Sequence, residues 1–242
     1  MGVQDSQSHY RGMLGPAWKL NARWEAEEPG ESRPILPFVV FKAMMSLGLL
    51  WGWDRFVACT MLGFAMMLHP SEFLDAFRED LLLPQDLLDN GPDVYMHIRN
   101  PKTRRYARKQ HSKSSDMCIA RLCDRVFRDD SARTKLYPLS ASAYRRRWDA
   151  LLGHLGVTNI TSTHKLTPGC LRGSGATHYY YLYEELGRIQ WKGRWRRLQT
   201  LEYYIQEVAG RTVMHGLSNS SKDLIQLFAN ALEQLIELKV SS

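Results

Sequence analysis

The sequence predicts an α+β, helix-dominated domain with a small antiparallel sheet. Three observations carry this. Apolar residues recur at spacings of three and four along most of the chain, one short stretch alternates apolar and polar residues, and 242 residues at 44% hydrophobic content suffice for one substantial core.

Residues 1–34 read as a polar N-terminal segment or linker, punctuated by Gly12, Gly15, Pro16, Pro29, Gly30 and Pro34. Over 37–68 two helices, hydrophobic nearly all round, form a buried hairpin. Lys42, Asp54 and Arg55 interrupt it, so each piece falls short of the roughly 18 apolar residues of a membrane span. Pro70 suits the first position of a short helix through Phe77. Residues 81–83 are a first strand, and Val94, Met96 and Ile98 alternate with Tyr95, His97 and Arg99 as a second. Met117 and Ile119 mark a third, which makes the basic segment 100–113 the loop of a strand-loop-strand unit with its cations at the tip. Helices return over 121–129, 141–155, 171–182 and 198–208, closing a main domain of 35–215.

A C-terminal amphipathic helix fills 216–242. Its stripe of Leu224, Leu227, Phe228, Ala231, Leu232, Leu235 and Ile236 follows Ser218 and Asn219 as caps. That stripe docks either on its own core or on a neighbouring subunit, the second option making a homo-oligomer.

The net charge of +7 favours a polyanionic partner. Its distribution says more. Arg99, Lys102, Arg104, Arg105, Arg108, Lys109 and Lys113 crowd one segment without an acid among them. Arg145, Arg146 and Arg147 form a second run, and Arg188, Lys192, Arg194, Arg196 and Arg197 a third. One run is an ordinary solvated face, whereas three point to nucleic acid, with Tyr106, Trp148, Trp191 and Trp195 interleaved as stacking or packing surfaces. Cys59, Cys118, Cys123 and Cys170 form no C-x-x-C pair, so no zinc site is expected. Reduced thiols fit an intracellular protein, nuclear in a eukaryote and cytoplasmic otherwise.

The most informative stretch is 171–207. Leu198, Leu201, Ile205 and Val208 lie on one helical face, so Tyr203 points away from the stripe while Tyr204 lies at its flank. The preceding helix carries Leu171, Gly175, Tyr179, Leu182 and Leu186 on one side and places Arg172 in its first turn. A guanidinium beside unsatisfied helix N–H groups is a good phosphate cradle.

These motifs together resemble the catalytic domain of tyrosine recombinases, the phage-integrase family, over 37–208. Residues 67–73, MLHPSEF, look like the family's segment of glycine, apolar residue, arginine, apolar residue, serine and glutamate, with His69 in the arginine position. Pro101, Lys102 and Thr103 are similar to its hairpin lysine site. Gly169 to Arg172 matches its box of histidine, two residues and arginine, with glycine replacing the histidine, and Ala176 and Thr177 also fit. Gly193 and Arg194 stand where the family has glycine and histidine or tryptophan, while Thr200 and Tyr203 have the spacing of its threonine and nucleophilic tyrosine.

The resemblance implies a recombinase-like catalytic fold acting on double-stranded DNA in recombination or integration, with no metal or other cofactor. Tyr203 would attack a phosphate to give a phosphotyrosyl link and a free 5′-hydroxyl. Arg172 and Arg194 would stabilise charge, Lys102 would supply the proton, and His69 would occupy the remaining site position. Arg99, Arg104, Arg105, Arg108, Lys109, Lys192, Arg196 and Arg197 would contact DNA.

A neutral imidazole at His69 cannot act as a bidentate cation, and one lost transition-state donor costs about 3 kcal/mol. Turnover is therefore impaired on this reading. A non-catalytic DNA-binding protein of the same fold is the alternative, and a helical protein-interaction module is a third.

Overall fold

The computed structural model describes residues 34–88, 91–99, 101, 110–157 and 165–241. The expected loop cations Lys102, Arg104, Arg105, Arg108 and Lys109, and the segment 1–33, lie outside the described residues.

Two helices, α1 (Phe38–Leu50) and α2 (Asp54–Ala65), form the expected apolar hairpin. Val40, Met44, Phe56, Val57 and Leu62 are fully buried, each contributing about 1.5–3 kcal/mol of apolar burial. The short helix α3 (Pro70–Leu74) begins at Pro70, whose missing N–H is no loss at that position.

The sheet has three antiparallel strands in the order β1 (Leu81–Leu82), β2 (Val94–Ile98), β3 (Gln110–Ser114). Val94, Met96 and Ile98 are buried, and Met96 pairs with both Leu81 and Ser112. The third strand is not at Met117 and Ile119, which belong to helix α4 (Met117–Phe127). Asp116 caps that helix by accepting from the Ile119 N–H at 3.1 Å. β3 itself is polar. Its buried Ser112 is satisfied by donating to the Met66 carbonyl at 3.0 Å, so no apolar alternation advertises the strand.

Helix α5 (Ala141–His154) starts at Ser140, whose Oγ accepts from Ala143 N–H, and buries Tyr144, Trp148 and Leu151. Then come α6 (Leu171–Tyr183), α7 (Leu186–Gly193), α8 (Leu198–Tyr204) and α9 (Glu207–His215). The expected single helix over 198–208 is broken at Ile205, which is extended at φ −85° and ψ 107°. Val208 consequently leaves the stripe and is 74% exposed. Leu182, assigned to the inner face of α6, is also exposed. At Gly175 an added Cβ would lie 2.3 Å from the Phe64 carbonyl oxygen, so glycine lets α6 approach the backbone of α2.

The final helix α10 (Asn219–Ser241) packs on α1 and α4. Ile225, Ala229, Leu232 and Ile236 are buried there, and Ser46 donates to the Phe228 carbonyl at 2.6 Å. Of the expected stripe, Leu232 and Ile236 are covered within the chain, whereas Leu227 is 66% exposed. Among the described residues no helix is long and apolar enough to cross a membrane, and no group of three or more potential metal ligands occurs. The four cysteines are free, and burial pushes the Cys59 thiol up to about 12.

Candidate functional site

The site forms where two helix C-termini meet the start of α6. Beyond α2, Met67 takes a left-handed conformation at φ 51°, and beyond α7 Arg194 does so at φ 60°. Such conformations cost a non-glycine residue about 1–2 kcal/mol. They turn two carbonyl groups towards one guanidinium. Arg172 Nη1 donates to the Met67 carbonyl and Nη2 to the Gly193 carbonyl, both at 2.5 Å. A cation there also meets the negative ends of two helix dipoles.

Arg172 does lie in the first turn of α6, as expected, but its guanidinium faces these carbonyls rather than the N–H groups of its own helix. Arg172 is only 7% exposed, and its guanidinium carbon lies 4.3 Å from the Trp195 ring centroid. The stacked arrangement requires Gly193, where an added Cβ would come within 1.7 Å of the indole.

A second guanidinium, close enough to act on the charge of the first, is buried there too. Arg194 Nη2 pairs with Glu72 Oε2 at 2.8 Å, with side-chain exposures of 10% and 6%. The same oxygen accepts from His69 N–H at 2.8 Å, which fixes the carboxylate at the head of α3. Arg172 Nε and Arg194 Nη1 are both buried without a hydrogen-bond partner. Burial and then the neighbouring Arg194 lower the Arg172 guanidinium to about 10, opposed by Glu72 and Tyr204. It stays charged at neutral pH. Two buried cations thus face one carboxylate, leaving an excess positive charge and two unmatched donors, which is the complement of a bound oxyanion.

The adjacent tyrosines occupy different surroundings. Tyr204 packs on Trp195 with ring centroids 5.3 Å apart, and an added Cβ at Gly173, next to Arg172, would meet its ring at 3.3 Å. Tyr203 is 49% exposed and edge-on to Tyr204 at 5.8 Å. The tyrosine that periodicity assigns to the flank is thus the one beside Arg172, and the outward one that spacing selects as nucleophile faces solvent.

The remaining expected residues are dispersed. His69 contributes its backbone N–H to the Glu72 carboxylate. Arg99 is held by Asp80 at 2.6 Å and by Glu79, and it covers the Phe77 ring, so its charge is matched within the fold. Lys192 donates to the Lys113 carbonyl at 3.1 Å above the Tyr179 ring. Burial, then Arg188 and Lys113, pull its ammonium down to about 8. Arg196 and Arg197 are exposed on the connection between α7 and α8. Glu72 was not assigned a role from sequence, although the glutamate of the MLHPSEF segment was a signal for it, and Trp195 was expected only as a stacking or packing surface.

No model of a known protein family and no curated protein matches this chain.

Proposed function

We infer that the recess of Arg172 and Arg194 binds a backbone phosphate of double-stranded DNA, and that a neighbouring tyrosine attacks that phosphate in the manner of a tyrosine recombinase. The observation that carries this reading is the unequal charge of the recess: two guanidiniums about nine-tenths buried, one carboxylate, and an unpaired N–H on each cation. A phosphate oxygen supplies both the missing charge and the missing acceptors.

The attacking group favoured by packing is the Tyr204 hydroxyl, because its ring shares the Trp195 surface with Arg172. In the step, Tyr204 Oη forms a bond to phosphorus and the bond to the 5′-oxygen breaks. The tyrosine loses its proton, the leaving oxygen gains one, and a phosphotyrosyl ester and a free 5′-hydroxyl result. Lys102, outside the described residues, keeps the role of proton donor that the resemblance implies. Arg196 and Arg197, exposed beside the recess, suit contacts to flanking phosphates.

A second reading, DNA binding without cleavage, is favoured by a specific observation. Arg172 already uses both terminal nitrogens on backbone carbonyls, and His69 replaces a permanent cation. Duplex binding followed across a salt series, together with a search for a covalent adduct on a nicked duplex, tests both readings. Binding that weakens steeply with salt, accompanied by an adduct, supports recombinase chemistry. Binding without an adduct supports the second reading, and no binding at low salt overturns both.

A further inference from the structure

Helix α7, whose last carbonyl receives Arg172, divides its residues between two faces. Ile189 and Gly193 are buried and Leu186 is half-buried, whereas Gly187, Arg188 and Trp191 are exposed on the outer side. Trp191 is 86% exposed. Trp51 and Trp53 pack on each other, Trp195 packs on Tyr204 and Trp148 is fully buried, so Trp191 stands apart among the described tryptophans. Side chains on a helix lean over the turn that precedes them, which puts Gly187, four residues back, beneath the indole. An added Cβ at Gly187 would meet nothing within 4 Å. The ring therefore offers an uncovered face.

The surroundings of that face are cationic. The Arg188 guanidinium carbon lies 4.0 Å from the Tyr183 ring centroid, and the Lys192 ammonium lies 4.6 Å from that of Tyr179. Those two tyrosines of α6 stack at 5.8 Å, so both cations are held on one aromatic support. Neither is ion-paired among the described residues, although Glu184 and Glu185 precede α7 in the chain. Arg188, Lys192, Arg194, Arg196 and Arg197 stand in 188–197 without an acid among them. At the other end of the helix the Arg194 N–H donates to the Trp191 carbonyl at 3.1 Å, which places the indole one turn from the recess.

A bare indole among unpaired cations matches a flat π-group that carries negative charge, and a nucleobase on its phosphate is such a group. Bases inside a duplex already stack on one another on both faces, so only an unpaired base can present a face to the ring. Resting on the reading of the recess as a phosphate site, we propose that Trp191 stacks on an unpaired base next to the phosphate held there. The substrate class is then a duplex interrupted by a bulged or single-stranded nucleotide, with Arg188 contacting the neighbouring phosphate.

The test measures fluorescence anisotropy of the full chain with three labelled DNAs: a plain duplex, the same duplex with a one-nucleotide bulge, and that bulge made abasic. The bulged duplex is expected to bind more tightly than the other two. Trp191→Ala is expected to weaken it about tenfold, as for one lost base stack, and to leave the plain duplex unchanged, while Trp191→Phe keeps most of the affinity. Arg194→Ala is expected to weaken all three. Equal binding of the bulged and abasic DNAs overturns the proposal and leaves the phosphate reading intact, as does a preference for the bulge that survives Trp191→Ala. Self-association lost in Trp191→Ala with bulge affinity unchanged assigns the ring to a second copy of the chain and also overturns it. No binding of any of the three DNAs at low salt overturns both the proposal and the reading on which it rests.

Discussion

Thr177 holds Tyr204 in place: its hydroxyl donates to the Tyr204 carbonyl at 3.0 Å and accepts from the Gln206 N–H at 3.3 Å. One side chain of α6 therefore closes the end of α8 and accepts from the residue that opens α9. Because Arg172 lies in the first turn of the same helix α6, this contact also sets the register between the guanidinium and the tyrosine.

Thr177→Val keeps the volume and removes both hydrogen bonds. It should destabilise the chain by about 1 kcal/mol, since a partly buried carbonyl and N–H lose their partner. If the proposed function holds, strand cleavage should fall more than duplex affinity, because Arg172 and Arg194 stay while Tyr204 is released. Denaturant melts and parallel binding and cleavage assays check this.

Glu72→Ala leaves the buried Arg194 without a counter-charge. Breaking a pair of this kind costs about 3–5 kcal/mol. Added sulfate should recover part of the loss beyond the stabilisation it gives the parent chain, because the recess then binds an anion in place of the carboxylate. Urea titrations of both proteins with and without sulfate measure it.

Gly193→Ala drives a methyl group into the Trp195 indole. Shifting the ring should cost about 1–3 kcal/mol and lift the cover from Arg172, with weaker duplex binding as the second readout.

His178 gives the chain a pH dependence. Its ring stacks on Phe38 at 3.8 Å, and burial, then Lys42, lower its pKa from 6.5 to about 4. Above pH 6.5 both folded and unfolded chains carry it neutral. Between there and about pH 4 the unfolded chain takes up a proton that the folded chain refuses, so stability falls as the pH drops and levels off below. The ring keeps some solvent contact, so the loss should be about 2 kcal/mol rather than the full value of the shift. His178→Phe should flatten that part of the stability curve.

Much of the scaffold is legible in local pattern. The apolar hairpin, the Val94, Met96 and Ile98 alternation, the start of α6 at Leu171 and the outward turn of Tyr203 all follow from helical or strand periodicity. What escapes is tertiary in origin. β3 carries polar residues whose burial depends on the Met66 carbonyl, and the break after Tyr204 depends on a hydroxyl from α6. The direction of the Arg172 guanidinium is set by Met67 and Arg194, whose left-handed turns no propensity of methionine or arginine predicts. Pairing of Glu72 with Arg194 joins elements far apart in the chain, so neither residue signals it alone.

The most direct measurement is capture of a protein–DNA adduct on a duplex nicked next to the cleavage position, so that the cut fragment diffuses away and the covalent step cannot reverse. The parent chain and Tyr203→Phe should both give the adduct, and Tyr204→Phe should give none. An adduct that persists in Tyr204→Phe would contradict the placement of the attacking hydroxyl beside Arg172 and Trp195.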